Sequence, residues 1–152
     1  MTVRIFLAFD TEHDQDLCDQ MVANCGGERA FEISGRSQNG SAPEAWQRGT
    51  QGRIAAADQV VVVCGTQTDQ SEPVAAELSI AREQGKPVIL LWSRRDGMCK
   101  KPAGARPDDS MLSWTTEILR RQILANRRQA ALSVRVPDRL KRQTPQSPPA
   151  DG

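Results

Sequence analysis

Apolar positions along the chain fall into short runs, separated by stretches with helical spacing. Residues 3–9 (Val3-Arg4-Ile5-Phe6-Leu7-Ala8-Phe9) form a compact apolar run that ends in the polar Asp10-Thr11-Glu12-His13-Asp14, a first, central strand. Residues 16–25 place Leu17, Met21 and Val22 on one helical face, with Gly26-Gly27 as the stop. Residues 30–33 read as a weaker second strand. Residues 34–43 are rich in turn formers and too polar for a core. A helix over 44–57, with Trp46 near its start, leads to a strand of buried type over 59–64, Gln59-Val60-Val61-Val62-Val63-Cys64. The next helix spans about 72–84, with Pro73 in its first turn and Gly85 as its stop, and precedes a fourth strand, Val88-Ile89-Leu90-Leu91-Trp92.

Strands alternating with helices predict parallel βαβ units, and right-handed crossovers lead to a flavodoxin-like, three-layer α/β fold. Residues 93–109 form a long connection carrying Arg94, Arg95, Lys100, Lys101 and Arg106, either functional or mobile. Ser110 is expected to cap a closing helix from Met111 to about Asn126. These elements predict one domain over residues 1–126 and a basic, proline-rich, disordered tail over residues 127–152.

Within this frame one residue breaks the pattern. In Val74-Ala75-Ala76-Glu77-Leu78-Ser79-Ile80-Ala81, helical spacing puts Val74, Glu77, Leu78 and Ala81 on one face. A carboxylate on that apolar stripe is paired with a neighbour such as Arg82, sits at the rim of the core, or does chemistry. Its helix follows a strand end, where α/β sheets collect ligands.

Composition removes several alternatives. With 20 basic and 19 acidic residues the net charge is +1, so nothing favours nucleic acid over the whole chain. The basic run Arg127, Arg128, Arg135, Arg139, Lys141 and Arg142 reads as a solvated tail. The four cysteines form no CxxC and His13 is the single histidine, which argues against a zinc site and against a histidine-based triad. No Walker motif or GxGxxG is present. A receiver domain would want an aspartate where the third strand ends in Cys64-Gly65. No apolar run is long enough to span a membrane, and the start reads as a strand rather than a signal peptide. Reduced thiols and a cytoplasmic location are the expectation.

The first strand, the polar 34–43 segment, Trp46, the third strand with Cys64-Gly65, and Val74-Ala75-Ala76-Glu77-Leu78 together resemble the bacterial TIR-like proteins of the Thoeris type. The likeness spans about residues 3–125 and rests on the order of elements rather than on one diagnostic motif. Lys86-Pro87-Val88-Ile89-Leu90-Leu91-Trp92 and Trp114 add to it. The resemblance implies a TIR-like fold and, in active members, cleavage of NAD+ at the nicotinamide–ribose bond to ADP-ribose or a cyclic isomer. NAD+ is then a substrate, and no cofactor or metal is required. The resemblance aligns Glu77 with the catalytic glutamate. It places Phe6, Ala8, Phe9 and Asp10 beside the nucleotide cleft, and Ser34 and Arg36 in a ligand-covering loop.

Arg36 would meet a pyrophosphate or remain a solvated loop residue. Trp46 would stack on an aromatic ring or plug the rim of the core. The resemblance further implies self-association and, in antiphage defence, a separate effector that responds to the product. The chain departs from many TIR enzymes in having Phe9-Asp10 at the end of the first strand, and no tyrosine at all. The competing readings are a non-catalytic TIR-like interaction module and a nucleoside-processing enzyme such as a deoxyribosyltransferase, whose additional acid and aromatic signature is not evident.

Overall fold

The computed structural model describes residues 2–38, 43–92 and 98–135, with Pro43 and residues 132–135 by backbone alone. Residues 39–42 of the expected 34–43 loop, Arg94 and Arg95, and the tail from residue 136 lie outside the described residues. Five strands, β1 (Val3–Ala8), β2 (Phe31–Arg36), β3 (Gln59–Cys64), β4 (Val88–Trp92) and β5 (Met111–Ser113), form one parallel sheet in the order β2-β1-β3-β4-β5. Among the described residues, four α-helices cover it: α1 (Gln15–Asn24), α2 (Pro43–Ala55), α3 (Glu72–Glu83) and α4 (Thr116–Arg135). This is the expected flavodoxin-like three-layer arrangement.

Both faces of the sheet are buried, which is why β3 reads as an unbroken apolar run. One face sets Ile5, Leu7, Val61 and Leu91 against Leu17 and Met21 of α1 and Leu119 and Ile123 of α4. The other sets Phe6, Ala8, Val62 and Leu90 against Ile54 of α2 and Val74 and Ala81 of α3. Gln59 fastens β3 to α4: its Nε2 donates to the Ile123 carbonyl at 3.0 Å, and its Oε1 accepts from Asn126 Nδ2 at 3.1 Å. Ser71 caps α3, accepting from the Val74 N–H at 3.3 Å, and Pro73 occupies its first turn.

The structure corrects three expectations. β2 runs on to Arg36, so Ser34 and Arg36 are strand residues rather than loop residues. Its register slips once: Ile5 pairs with Ile33, but Phe6 pairs with Gly35, leaving Ser34 as a bulged extra residue. Residues 111–113 are a short edge strand against β4, not the start of a helix. α4 begins instead at Thr116, where Thr115 Oγ1 accepts from the Ile118 N–H at 3.0 Å, and continues to Arg135, past the expected end near Asn126.

The bulge matters because side chains alternate faces along a strand. One extra residue moves everything after it to the opposite face. Residues 31, 33, 35 and 37 would otherwise share a face. After the slip Gly35 lies over Phe6, where a Cβ would sit 3.3 Å from the ring, and Ser37 follows it onto the α2/α3 side.

Leu119 and Ile123 are fully buried. Leu119→Ala is expected to lower unfolding free energy by about 2–5 kcal/mol through the cavity it leaves. In urea melts this appears as a lower midpoint with an unchanged slope. A change below ~1 kcal/mol would mean that α4 packs on the sheet more loosely than its burial indicates.

Candidate functional site

α3 presents Val74, Glu77, Leu78 and Ala81 to the core, as their spacing predicts, and all four are buried. Glu77 is completely closed off from solvent, at 0% exposure. It does not pair with Arg82, which instead binds Asp109 at 2.7 Å. Its partner is Ser37, whose Oγ donates to Oε1 at 2.7 Å. Ser37 is itself held from two sides: its Oγ accepts from the Phe9 N–H at 3.0 Å, and its own N–H donates to the Leu7 carbonyl at 2.9 Å. Glu77 Oε2 is buried without a hydrogen-bond partner.

Burial pushes the Glu77 carboxyl up to about 8, because taking a carboxylate out of water penalises its charged form. The Ser37 hydrogen bond and the positive charge of Arg53 on α2 act in the opposite direction. Arg53 donates from Nη2 to Thr50 Oγ1 at 3.0 Å, and its Nε is buried without a partner. At neutral pH Glu77 is therefore mostly a neutral acid. Its ionised form becomes favourable once a hydroxyl donor or a positive charge arrives.

A cleft of about 330 Å³ opens beyond the carboxyl ends of β1, β2 and β3. Its walls include Asp10 and His13 after β1, Gln38 after β2, Gln67 and Gln70 after β3, and Pro73 in the first turn of α3. This is the β1/β3 switch point of the sheet, where crossovers leave in opposite directions and a crevice results. Glu77 is not a wall residue. Each member of its cluster nevertheless adjoins one: Phe9 precedes Asp10, Ser37 precedes Gln38, and Glu77 lies one helical turn from Pro73. The cluster thus adjoins the cleft walls along the chain at three points.

The other sequence-derived candidates separate into groups. Phe6, Ala8 and Phe9 are core side chains, and Phe9 serves the site through its main chain. Asp10 is at the cleft, where Oδ2 meets His13 Nδ1 at 2.7 Å and Oδ1 accepts from the Glu12 N–H at 3.0 Å. Asp10, Glu12 and His13 have the spacing of metal ligands, but both Asp10 oxygens are already engaged within the group. That hydrogen bond also raises the His13 pKa above its usual value.

Trp46 is half-buried and donates from Nε1 to the Gln38 carbonyl at 3.3 Å, which ties α2 to the cleft edge. Ser34 is exposed, with its Oγ 3.4 Å from the Ile5 carbonyl. Arg36 lies across the sheet from Glu77: it pairs with Leu7, contacts Cys18 on α1 and binds Asp19 at 3.2 Å. The structure thus gathers Glu77, Phe9, Asp10 and Trp46, and leaves Ser34 and Arg36 elsewhere. Ser37, Thr50 and Arg53 were missed. The turn-rich look of residues 34–43 hid Ser37, whereas the glycine at position 49, one turn before Arg53 inside a helix, was a usable signal.

Among the described residues no helix is long and apolar enough to cross a membrane, and the four cysteines form no disulfide.

The family profile described as Thoeris protein ThsB, TIR-like domain, matches residues 6–97, more than half of the chain. No curated protein matches. Among solved structures, a prokaryotic SEFIR domain is 13% identical over 84% of this chain and 97% of its own, with a TM-score of 0.50. The CMP N-glycosidase BcmB of Clostridium botulinum is 22% identical over 59% of this chain and 71% of its own, with a TM-score of 0.44. The TIR domains of the activated Roq1 resistosome are 15% identical over 60% of this chain and 58% of theirs, also at 0.44. At these identities the likeness is one of fold, carried by the SEFIR domain.

The raised carboxyl makes a stability prediction. An acid whose folded pKa exceeds its unfolded value contributes stability that is fully present below about 4.5 and is lost as pH rises through about 8. Urea midpoints of wild type and Glu77→Gln, measured from pH 5 to 9, should diverge in favour of the variant as pH rises. A constant difference would show that Glu77 ionises as readily in the fold as in the unfolded chain.

Proposed function

Because the chain belongs to the Thoeris ThsB TIR-like domain family, we propose that it cleaves NAD+ at the nicotinamide–ribose bond, with Glu77 as the catalytic residue. The observation that carries this reading is the buried Glu77 carboxyl, one helical turn from the cleft residue Pro73 and with one oxygen lacking a partner. A ribose hydroxyl offers Glu77 the same kind of donor that Ser37 supplies, and a second hydroxyl would satisfy Oε2.

NAD+ carries a positive charge on its nicotinamide ring. Binding it near Glu77 lowers the carboxyl pKa and generates the carboxylate where it is used. As the glycosidic bond breaks, nicotinamide leaves with the bonding pair and becomes neutral, while the ribose takes on oxocarbenium character. A carboxylate in a dry site stabilises that cation far better than one in water. Water adding to the cation gives ADP-ribose and a proton. An internal nucleophile of the substrate gives a cyclic isomer, the kind of product that would act on a separate effector in antiphage defence. Self-association through TIR surfaces would complete or cover the cleft.

The second reading is an interaction module without turnover. Its support is the complete closure of Glu77 under Ser37, which leaves the carboxyl out of reach until that hydroxyl moves.

Nicotinamide release separates the two. Concentrated protein is incubated with NAD+, with and without lysate from phage-infected cells. Turnover that falls by roughly 10²–10³-fold or more in Glu77→Gln is expected. Absence of release under every condition, or release that the substitution leaves intact, would leave the interaction module standing.

A further inference from the structure

Three groups fix the Ser37 side chain. Its Oγ accepts from the Phe9 N–H at 3.0 Å and lies 2.7 Å from Glu77 Oε1, and its own N–H donates to the Leu7 carbonyl at 2.9 Å. A serine hydroxyl carries one proton, and a main-chain N–H can only donate. The Phe9 bond therefore uses an acceptor position of Oγ and leaves the hydroxyl proton for Oε1, its one acceptor among the described residues. Both residues are buried, which removes bulk water as an alternative acceptor. Two arrangements of a neutral Glu77 then differ in what they leave unmade. With the acid proton on Oε1, that oxygen would donate to Oγ, and the serine proton would be buried without an acceptor. With the acid proton on Oε2, the Ser37 bond stays intact. Oε2 has no partner in either arrangement, so the second loses less.

We propose that Ser37 is the positioning residue of this site: its hydroxyl, aimed by the Phe9 main chain, holds Glu77 Oε1 as an acceptor and confines the acid proton to Oε2. The consequence for catalysis rests on the NAD+-cleaving reading, but the location of the proton does not. When the acid ionises, the proton leaves Oε2 while Oε1 keeps its bond, so the oxygen without a partner is the one released for a ribose hydroxyl. The Ser37 bond also favours the ionised form against the cost of burial. The charged and titratable groups around the carboxyl do not take over this role. Arg53 on α2 adds positive charge, and Cys64 on β3, its thiol pushed up to about 12, stays neutral. After β1, Asp10 is bound to His13, and Asp14 lies against Gly65 beyond the end of β3. Along α3 itself, Glu72 and Glu83 lie at the two ends, and Arg82 is committed to Asp109. In the connection before β5, Lys101 donates to the Arg106 and Pro107 carbonyls.

Two spectra test it. Protein labelled with ¹³C at glutamate side-chain carboxyls is followed by NMR from pH 4 to 10, and the Glu77 signal is identified by its loss in Glu77→Gln. Ser37→Ala should move the Glu77 midpoint upward by about one pH unit or more, while Ser37→Thr, which keeps the hydroxyl, should stay near wild type. At pH 5, where Glu77 is neutral, infrared difference spectra against Glu77→Gln isolate its acid carbonyl stretch. With the proton on Oε2 the carbonyl oxygen is Oε1, which accepts from Ser37, so Ser37→Ala should move the band to higher wavenumber. If Ser37→Ala does not fold, Ser37→Cys, whose thiol is a weak donor, carries the same expectations.

In nicotinamide release, the rise of kcat with pH should shift upward with the midpoint in Ser37→Ala, making kcat about tenfold lower at pH 7 for each unit, and Ser37→Thr should restore it. An unmoved midpoint or an unmoved carbonyl band in Ser37→Ala, or equal shifts in Ser37→Thr, would overturn the proposal. A moved midpoint and band with no turnover in any protein would retain it and defeat the glycohydrolase reading instead.

Discussion

A carboxyl group held entirely out of water on an otherwise apolar helical face is the constraint to which the surrounding structure answers. A carboxylate in that position has lost its hydration, and protein groups must replace it or the proton must stay on. Here the replacement is partial. Ser37 serves one oxygen at 2.7 Å, Arg53 contributes charge, and the second oxygen has no partner. Each of these depends on something further out. Ser37 reaches Glu77 because of the bulge at Ser34, and Arg53 packs against Gly49, where a Cβ would come within 3.1 Å of its Nη1. The geometry of three elements is therefore tied to one ionisable group.

The sheet order explains why this group lies where a ligand can arrive. β1 is central, with β2 on one side and β3 on the other, so the connections after β1 and β3 diverge and leave a crevice at their carboxyl ends. The apolar interior of β3 and the flanking helices make the floor rigid, whereas the walls come from polar segments after the strands.

Much of this arrangement was legible in the chain, and the remainder failed for identifiable reasons. β3 and β4 were readable because strands buried on both faces are continuous apolar runs. Glu77 stood out because a single charge interrupts a helical stripe. The role of Ser37 was not readable, since its direction depends on a one-residue slip in pairing that leaves no periodic trace. Arg36 was misplaced for the same reason: a loop position would have let it reach a phosphate, but as a strand residue paired with Leu7 it points to α1. β5 was mistaken for helix because Met111, Trp114, Thr115 and Ile118 also fit a helical period, and three residues of edge pairing cannot outweigh that pattern. Arg53 looked like one more basic residue on a helix surface. Only the glycine one turn before it hinted at a guanidinium that needed room.

The choice between a catalytic and a purely structural Glu77 turns on which side chain the surroundings require. A glutamine would accept from Ser37 as well as the acid does and would carry no ionisation penalty above pH 5. Leucine or methionine would suit the neighbouring Val74, Leu78 and Ala81 at still less cost. Among the described groups the Arg53 charge favours an ionised acid, and it does not offset the cost of burial. Arg53 is already held by Thr50, and Ser37 already binds two main-chain groups. What an acid alone provides is a charge that appears when a cation or a hydroxyl donor enters. A site that keeps a destabilising, switchable charge next to a crevice, with one oxygen unserved, fits bond cleavage on a cationic sugar derivative better than it fits a scaffold.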